Sequence, residues 1–294
     1  MAERGGIARG IDVLRAAGLA ERLGAAGDVH DSGDLALSEG DGVRGPSGLL
    51  NEAALAHLVV ATRAGVASAH SQGHVRLLVG GDCPVLLGAL AATRDRYGSC
   101  GLVHVDGHED AWQPSLSPTG EASDSEVALA LGLIAEPLPE PLGRLVPLLA
   151  PETVAMLGPR DKAEIGVGGA SSLDGTVALF RSVEAIWASG AAASAAQAAA
   201  AVGLAARAFW LHLDLDVLRT DELAAVDYPQ AGGLTWDELG EIGVAALAAP
   251  TCAGVSVVIY NPDKDSDGTG AHSIVRFLAD LVAESDAARA SRPH

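Results

Sequence analysis

The sequence predicts an α/β fold in which a mostly parallel β-sheet is covered by helices on both faces. Short runs rich in Val, Leu and Ile alternate with longer stretches of helical periodicity, the pattern of strands buried on both sides. Hydrophobic residues make up 49% of the 294-residue chain and aromatics only 3%, so a large core is built mainly from Ala, Val and Leu. The 36 glycines supply tight turns and close backbone approaches.

In chain order, strands are predicted at Arg76 to Val79, Gly101 to Val105, Thr153 to Leu157, Phe209 to Leu213 and Gly254 to Ile259. Helical patterns lie near 51–71, 84–97, 123–134, 174–207 with a break, 235–248 and 270–290. Nine alanines among the eleven residues from Ala191 to Ala201 predict a surface helix. Gly5 to Leu23 reads as a loop and helix with no strand before it. Segments 111–121, 136–151 and 158–173 read as loops, including Gly166 to Ser171, whose glycine pattern falls short of a dinucleotide loop. Strands and helices keep alternating across these loops, so residues 1–294 are expected to form a single domain.

Composition narrows the function. Nineteen basic against 38 acidic residues give a formal charge of -19, which repels nucleic acid and anionic membranes and favours cationic partners. Cys83, Cys100 and Cys252 are odd in number, widely spaced and without a CxxC pair, which points to a reducing cytoplasm rather than a disulfide framework. The N-terminal residues lack an apolar signal region, and the alanine-rich stretch near 188–211 is broken by polar residues, so neither signal peptide nor membrane span is expected.

The chemistry-bearing signal is Gly-Leu-Val-His-Val-Asp-Gly-His-Glu-Asp, residues 101–110. In an extended chain, residues two apart project to the same side, so Asp106, His108 and Asp110 converge at one strand end. A second apolar strand ends with Asp214 and Asp216, also two apart. Four carboxylates at adjacent strand tips repel one another, and a bound divalent cation relieves that repulsion. Oxygen ligands with one imidazole suit Mn²⁺ or a similar ion. The alternative is that these acids cap loops or bind solvent, as polar strand ends often do. His104 and His212 lie inside the strand patterns and read as core or subunit-contact histidines.

A third strand runs into Gly80-Gly81-Asp82-Cys83. This motif, Asp106-x-His108-x-Asp110, Asp214-x-Asp216 and Gly232-Gly233-Leu234-Thr235-x-x-Glu238 occur in the order and approximate spacing of the arginase/agmatinase (ureohydrolase) family, which the chain resembles over roughly residues 40–285. The resemblance implies a three-layer α/β/α fold with two Mn²⁺ ions at the carboxyl ends of the strands. It implies that Asp106 and Asp214 bridge the ions, that Asp110 and the Cys83 position complete one shell, and that His108 and Asp216 complete the other. It further implies hydrolysis of a linear amidine C–N bond by metal-activated water, with Asp110 carrying a proton to the departing amine. The substrate is expected to be a small cationic guanidino compound, and the assembly a homo-oligomer, trimer or hexamer.

Departures from the family pattern matter. Its first motif usually ends in His, and Cys83 stands there instead; a thiolate ligand shifts preference toward Zn²⁺, while an inert buried thiol leaves one site weak or empty. The Asn, Ser and His set that reads the amino-acid end of arginine is replaced by Thr119-Gly-Glu121-Ala-Ser123-Asp124, so arginine specificity does not carry over. Glu121 and Asp124 suit a cationic amine, but Ser123-x-x-Glu126 also fits a capping box. Glu238 faces the same choice: family pattern pairs it with the guanidinium, and Thr235-x-x-Glu238 is a capping-box pattern. The family's Asp-x-Asp-x-x-Asp-Pro is replaced by a run through Arg219 and Asp221, and Tyr260 to Asp265 reads either as a site-side loop or as an ordinary turn. Two rivals remain beside the ureohydrolase reading: a deacetylase-like metal amidohydrolase, and a homologue kept as a binding or oligomerisation module.

Overall fold

The computed structural model describes residues 6–71 and 76–291. Its centre is a six-stranded, all-parallel sheet of β1 (Arg76–Val79), β2 (Gly101–Val105), β3 (Val154–Leu157), β4 (Leu179–Arg181), β5 (Phe209–Asp214) and β6 (Cys252–Val258). The spatial order is β1-β6-β5-β2-β3-β4. The α-helices are α1 (Gly10–Ala16), α2 (Leu19–Ala26), α3 (Glu52–Ser71), α4 (Val85–Tyr97), α5 (Glu126–Leu131), α6 (Leu142–Leu145), α7 (Lys162–Val167), α8 (Val183–Ser189), α9 (Ala191–Gly203), α10 (Trp236–Leu247) and α11 (Thr269–Ala290).

Alternation along each strand divides the core between two faces. Val103, Val105, Leu211, Leu213, Val255 and Val257 pack with residues of α9, α10 and α11. Leu102, Val154, Met156 and Trp210 pack with residues of α3, α4 and α5 on the other side. Period-two side chains with helices on both faces make the three layers. From the central pair, β2 leads outward to β3 while β5 leads outward to β6 on the opposite side. Their carboxyl ends therefore flank a topological switch point, the crevice where open α/β sheets take ligands.

Several expectations are corrected. Residues 179–181 form edge strand β4 within the stretch expected to be helical. Three residues are too few to display a period, so the surrounding helical pattern masks them. The alanine-rich helix α9 lies on the surface as expected, with Ala192, Ala193, Ala196, Gln197 and Ala200 exposed, and its other face, Ala191, Ala195, Ala198, Ala199 and Val202, is buried in the core. Small side chains let it lie close, and at Gly101 an added Cβ would collide with Val202 and the Thr153 carbonyl. Two loops contain short helices, α6 in 136–151 and α7 in 158–173, and α7 takes in Gly166. Asn261 caps a single 3-10 turn, Pro262–Lys264, so that segment follows the turn reading. Gly5, where the N-terminal pattern begins, and the residues before it lie outside the described residues; α1 and α2 account for the rest of that pattern.

Among the described residues, no single helix is long and apolar enough to cross a membrane. The α8–α9 pair reaches that composition only together, across a 105° bend, and α9 packs into the core.

Candidate metal centre

The two central strands end in the same local device. Asp106 Oδ1 accepts the His108 amide at 2.6 Å, and Asp214 Oδ1 accepts the Asp216 amide at 2.7 Å. Each aspartate thus turns the chain sharply at its strand tip and holds the residue two positions on beside itself. The tips are also tied to one another, because the Gly107 amide donates to Asp216 Oδ1 at 3.2 Å. Arg160 braces the second tip by donating to the carbonyls of Asp216 and Val217 at 2.8 and 3.3 Å.

The expected ligand residues come together. His108 Nδ1 lies 3.1 Å from Asp216 Oδ2 and 3.4 Å from Asp106 Oδ1. The Cys83 thiol, just ahead of α4, donates to Asp214 Oδ2 at 2.9 Å. Asp110 adopts a left-handed φ of +45°, a conformation that favours glycine. Its carbonyl accepts the amides of Val127 and Ala128 at the start of α5, which pins the residue there. Asp106, Asp110, Asp214 and Asp216 are all buried.

Their electrostatics describe a site short of positive charge. Burial, then the charges of Asp216 and Asp106, push Asp214 well above the usual carboxylate range. Burial, then Asp106 and Glu126, do the same to Asp110, and burial with Asp106 raises Asp216. Burial also raises Asp106, but its hydrogen bond to His108 and the neighbouring His104 outweigh it and hold that carboxyl low. For His108, burial is outweighed by Asp216 and Asp106, and the imidazole is pushed up to about 12. Burial beside Asp214 raises the Cys83 thiol. Divalent cations in such a pocket stabilise the ionised carboxylates and displace these protons.

A deeper layer carries further polar groups. His104 and His212 sit two residues below Asp106 and Asp214 on the same strand faces and are register partners. Their rings stack at 5.4 Å with 6° between planes. Glu126, the first residue of α5, is fully buried and lies 3.9 Å from His104 Nε2. Burial drives Glu126 up to about 7 and His212 down to about 3, the latter helped by His104. Ser123-x-x-Glu126 is therefore not a capping box: the helix begins after Ser125, and Asp124 is held by the Ser117 and Thr119 hydroxyls at 2.7 and 2.6 Å. Strand alternation puts both histidines on the same face as the aspartates, two residues inward; no local pattern marks Glu126.

Glu238 does form its capping box. Its Oε2 accepts the Thr235 amide at 2.8 Å while the Thr235 hydroxyl accepts the Glu238 amide at 3.2 Å. A parallel bridge between Leu218 and Leu234 ties the loop before α10 to the chain leaving β5. At Gly233, φ is +113° and an added Cβ would sit 2.6 Å from the Val217 carbonyl, so the close approach requires glycine.

The residues fit a divalent-metal centre. Asp106 Oδ2, both Glu126 oxygens, both His104 ring nitrogens and His212 Nε2 are buried with no hydrogen-bond partner among the described residues. Leaving such an atom unmet costs about 1–3 kcal/mol, and native proteins rarely leave several together. Three groups with ligand atoms within 4.8 Å of one another are present: Asp106, His108 and Asp216; Cys83, His212 and Asp214; and His104, Asp106, Glu126 and His212. Acidic oxygens with imidazoles are donors for Mn²⁺, Co²⁺ or Zn²⁺.

A profile of the arginase family matches residues 2–283. The arginase of Bacillus caldovelox is 27% identical over 285 residues, covering 96% of this chain and 94% of its own. Its crystal structure superimposes with a TM-score of 0.79 at 26% identity, covering 93% of this chain and 91% of that one. A formimidoylglutamase from Bacillus subtilis shares the fold alone, with a TM-score of 0.70 at 16% identity over 94% of this chain and 80% of its own.

Proposed function

The chain belongs to the arginase family, whose members are metal-dependent hydrolases of amidino C–N bonds, and we propose that it hydrolyses a small cationic guanidino compound. The observation that carries this reading is the meeting of Asp106, His108, Asp214 and Asp216 at two neighbouring strand tips, with Cys83 and Asp110 beside them.

In this reading Asp106, Asp214, Cys83 and Asp110 would hold one ion, and Asp106, Asp214, His108 and Asp216 would hold the other. Two divalent cations there supply a water made nucleophilic near neutral pH. Mn²⁺ follows the family pattern, and Zn²⁺ becomes the competitor because of Cys83. Asp110, held rigidly by the start of α5, moves the proton to the departing amine. Glu238 orients the planar cation with the carboxylate oxygen its capping box leaves over.

The rim favours a cationic tail over an amino-acid head. Glu121 Oε2 accepts the Tyr228 hydroxyl at 2.7 Å, and that ring stands edge-on to His108 at 6.5 Å. Burial first, then the charges of Glu121, Asp124 and Asp227, raise Asp82 to about 7, while Asp227 is itself paired with Lys264 at 2.8 Å. In this reading Glu121, linked through Tyr228 to the neighbourhood of His108, attracts a substrate that ends in an amine. A single domain over residues 1–294, assembled as a cytoplasmic trimer or hexamer, completes the proposal.

Purified protein incubated with Mn²⁺, Co²⁺ or Zn²⁺ and a panel of guanidines should release urea or a substituted urea together with an amine. Agmatine-like substrates should outperform arginine. No release under any metal would overturn the reading; acetate release from amides instead would favour deacetylase chemistry.

A further inference from the structure

We propose that His104, His212 and Glu126 form an inner ligand set that holds the ion on the Cys83 side from beneath and selects Zn²⁺ or Co²⁺ over Mn²⁺. The proposal rests on the metal-hydrolase reading and adds to it three ligands that lie outside the family's motif positions.

Placement comes first. Both histidines project from the central strands toward the same side as the metal-site aspartates, one layer deeper, and α5 delivers Glu126 to the same spot. His104 Nε2 stands 3.5 Å from Asp106 Oδ2, 3.7 Å from Asp110 Oδ2 and 3.9 Å from Glu126 Oε1. Good charge-assisted hydrogen bonds are shorter, at about 2.7–2.9 Å. Ligand atoms at about 2.1 Å around a tetrahedral ion stand roughly 3.4 Å apart, close to the separations around His104.

Polar satisfaction comes second. His104, His212 and Glu126 are fully buried, yet both ring nitrogens of His104, His212 Nε2 and both Glu126 oxygens lack hydrogen-bond partners among the described residues. His212 is oriented from its other side, because Nδ1 lies 2.6 Å from the Ser256 hydroxyl, which also accepts the Trp210 indole N–H at 3.0 Å. A metal-binding histidine is commonly fixed in this way through its second nitrogen. A water has two protons to offer several acceptors, whereas a dication satisfies lone pairs alone.

Donor chemistry supplies selectivity. His212 belongs both to the group with Cys83 and Asp214 and to the group with His104, Asp106 and Glu126. It can thus supply the imidazole that the Cys83 position lacks. Two imidazoles with carboxylates suit Zn²⁺ or Co²⁺ better than Mn²⁺, which prefers oxygen.

The test loads chelator-stripped full-length protein with Zn²⁺ alone, locates the ions by anomalous scattering in crystals, and measures stoichiometry and affinity by elemental analysis and competition. Wild type should hold two ions, one within bonding distance of His104, His212 and Glu126. Glu126→Gln, which preserves shape, and His104→Phe should each drop to one ion, while Cys83→Ser should lose less than tenfold in affinity for the second. Circular dichroism of each variant checks folding, and the wild-type crystal needs no variant. Two ions with neither contacting His104 or Glu126, or a Cys83→Ser loss larger than that of Glu126→Gln, would overturn the inner set alone. Wild type holding no ion would overturn both it and the hydrolase reading.

Discussion

The His108 side and the Cys83 side of the centre are built on the same turn and differ in what surrounds it. On the first, His108 lies against both Asp216 and Asp106, and Arg160 braces the backbone beneath. On the second, a thiol points at Asp214 above two stacked imidazoles and a buried glutamate with unmet polar atoms. The contrast teaches that one half is nearly satisfied by protein groups alone, whereas the other is satisfied only by something further. Choice of ion should therefore be decided on the Cys83 side, and retention of at least one ion on the His108 side.

The largest effect should come from a carboxylate common to both sides. Asp106→Asn should abolish binding of both ions and lower kcat/KM by roughly 10³-fold or more, since each 1.36 kcal/mol of lost stabilisation is tenfold and a metal centre supplies several kcal/mol. Retention of both ions in that variant would break the comparison at its root. His108→Ala should remove one ion and leave the other, as read by elemental analysis. Cys83→His sharpens the contrast: metal preference should move toward Mn²⁺ if the thiolate is a ligand, whereas a rise from one to two bound ions would show it inert in the wild type. Unchanged preference and content would mean that position 83 takes no part.

Smaller effects lie at the rim. Glu238→Gln should raise KM roughly tenfold with little change in kcat, the size of one charge-assisted hydrogen bond. Tyr228→Phe frees Glu121 and should change KM by only a few-fold, and only for substrates with an amine tail. An equal change for a tail-less guanidine would remove Glu121 from substrate recognition.

Legibility follows the same divide. Period-two spacing made Asp106 and Asp214 readable as strand-tip residues, because extended chain converts spacing into direction, but the chain stops being extended there: turns closed by the two aspartates place His108 and Asp216, and a left-handed backbone places Asp110. Five of the six strands were readable for the same reason, while three-residue β4 was hidden in a helical pattern. His104 and His212 carry that spacing too, yet an apolar strand interior disguises them as core residues. Glu126 was misread because Ser123-x-x-Glu126 imitates a cap; only the tertiary placement of α5 turns its carboxylate inward. Alanine-rich α9 was legible as a surface helix, but helix propensity says nothing about which neighbour its buried small-residue face meets.

Metal content of the full-length protein, purified without chelator, is the most direct test of the centre. Two tightly held divalent ions per chain are expected, lost together in Asp106→Asn. Protein that carries none, and takes up none from Mn²⁺, Co²⁺ or Zn²⁺, would contradict it.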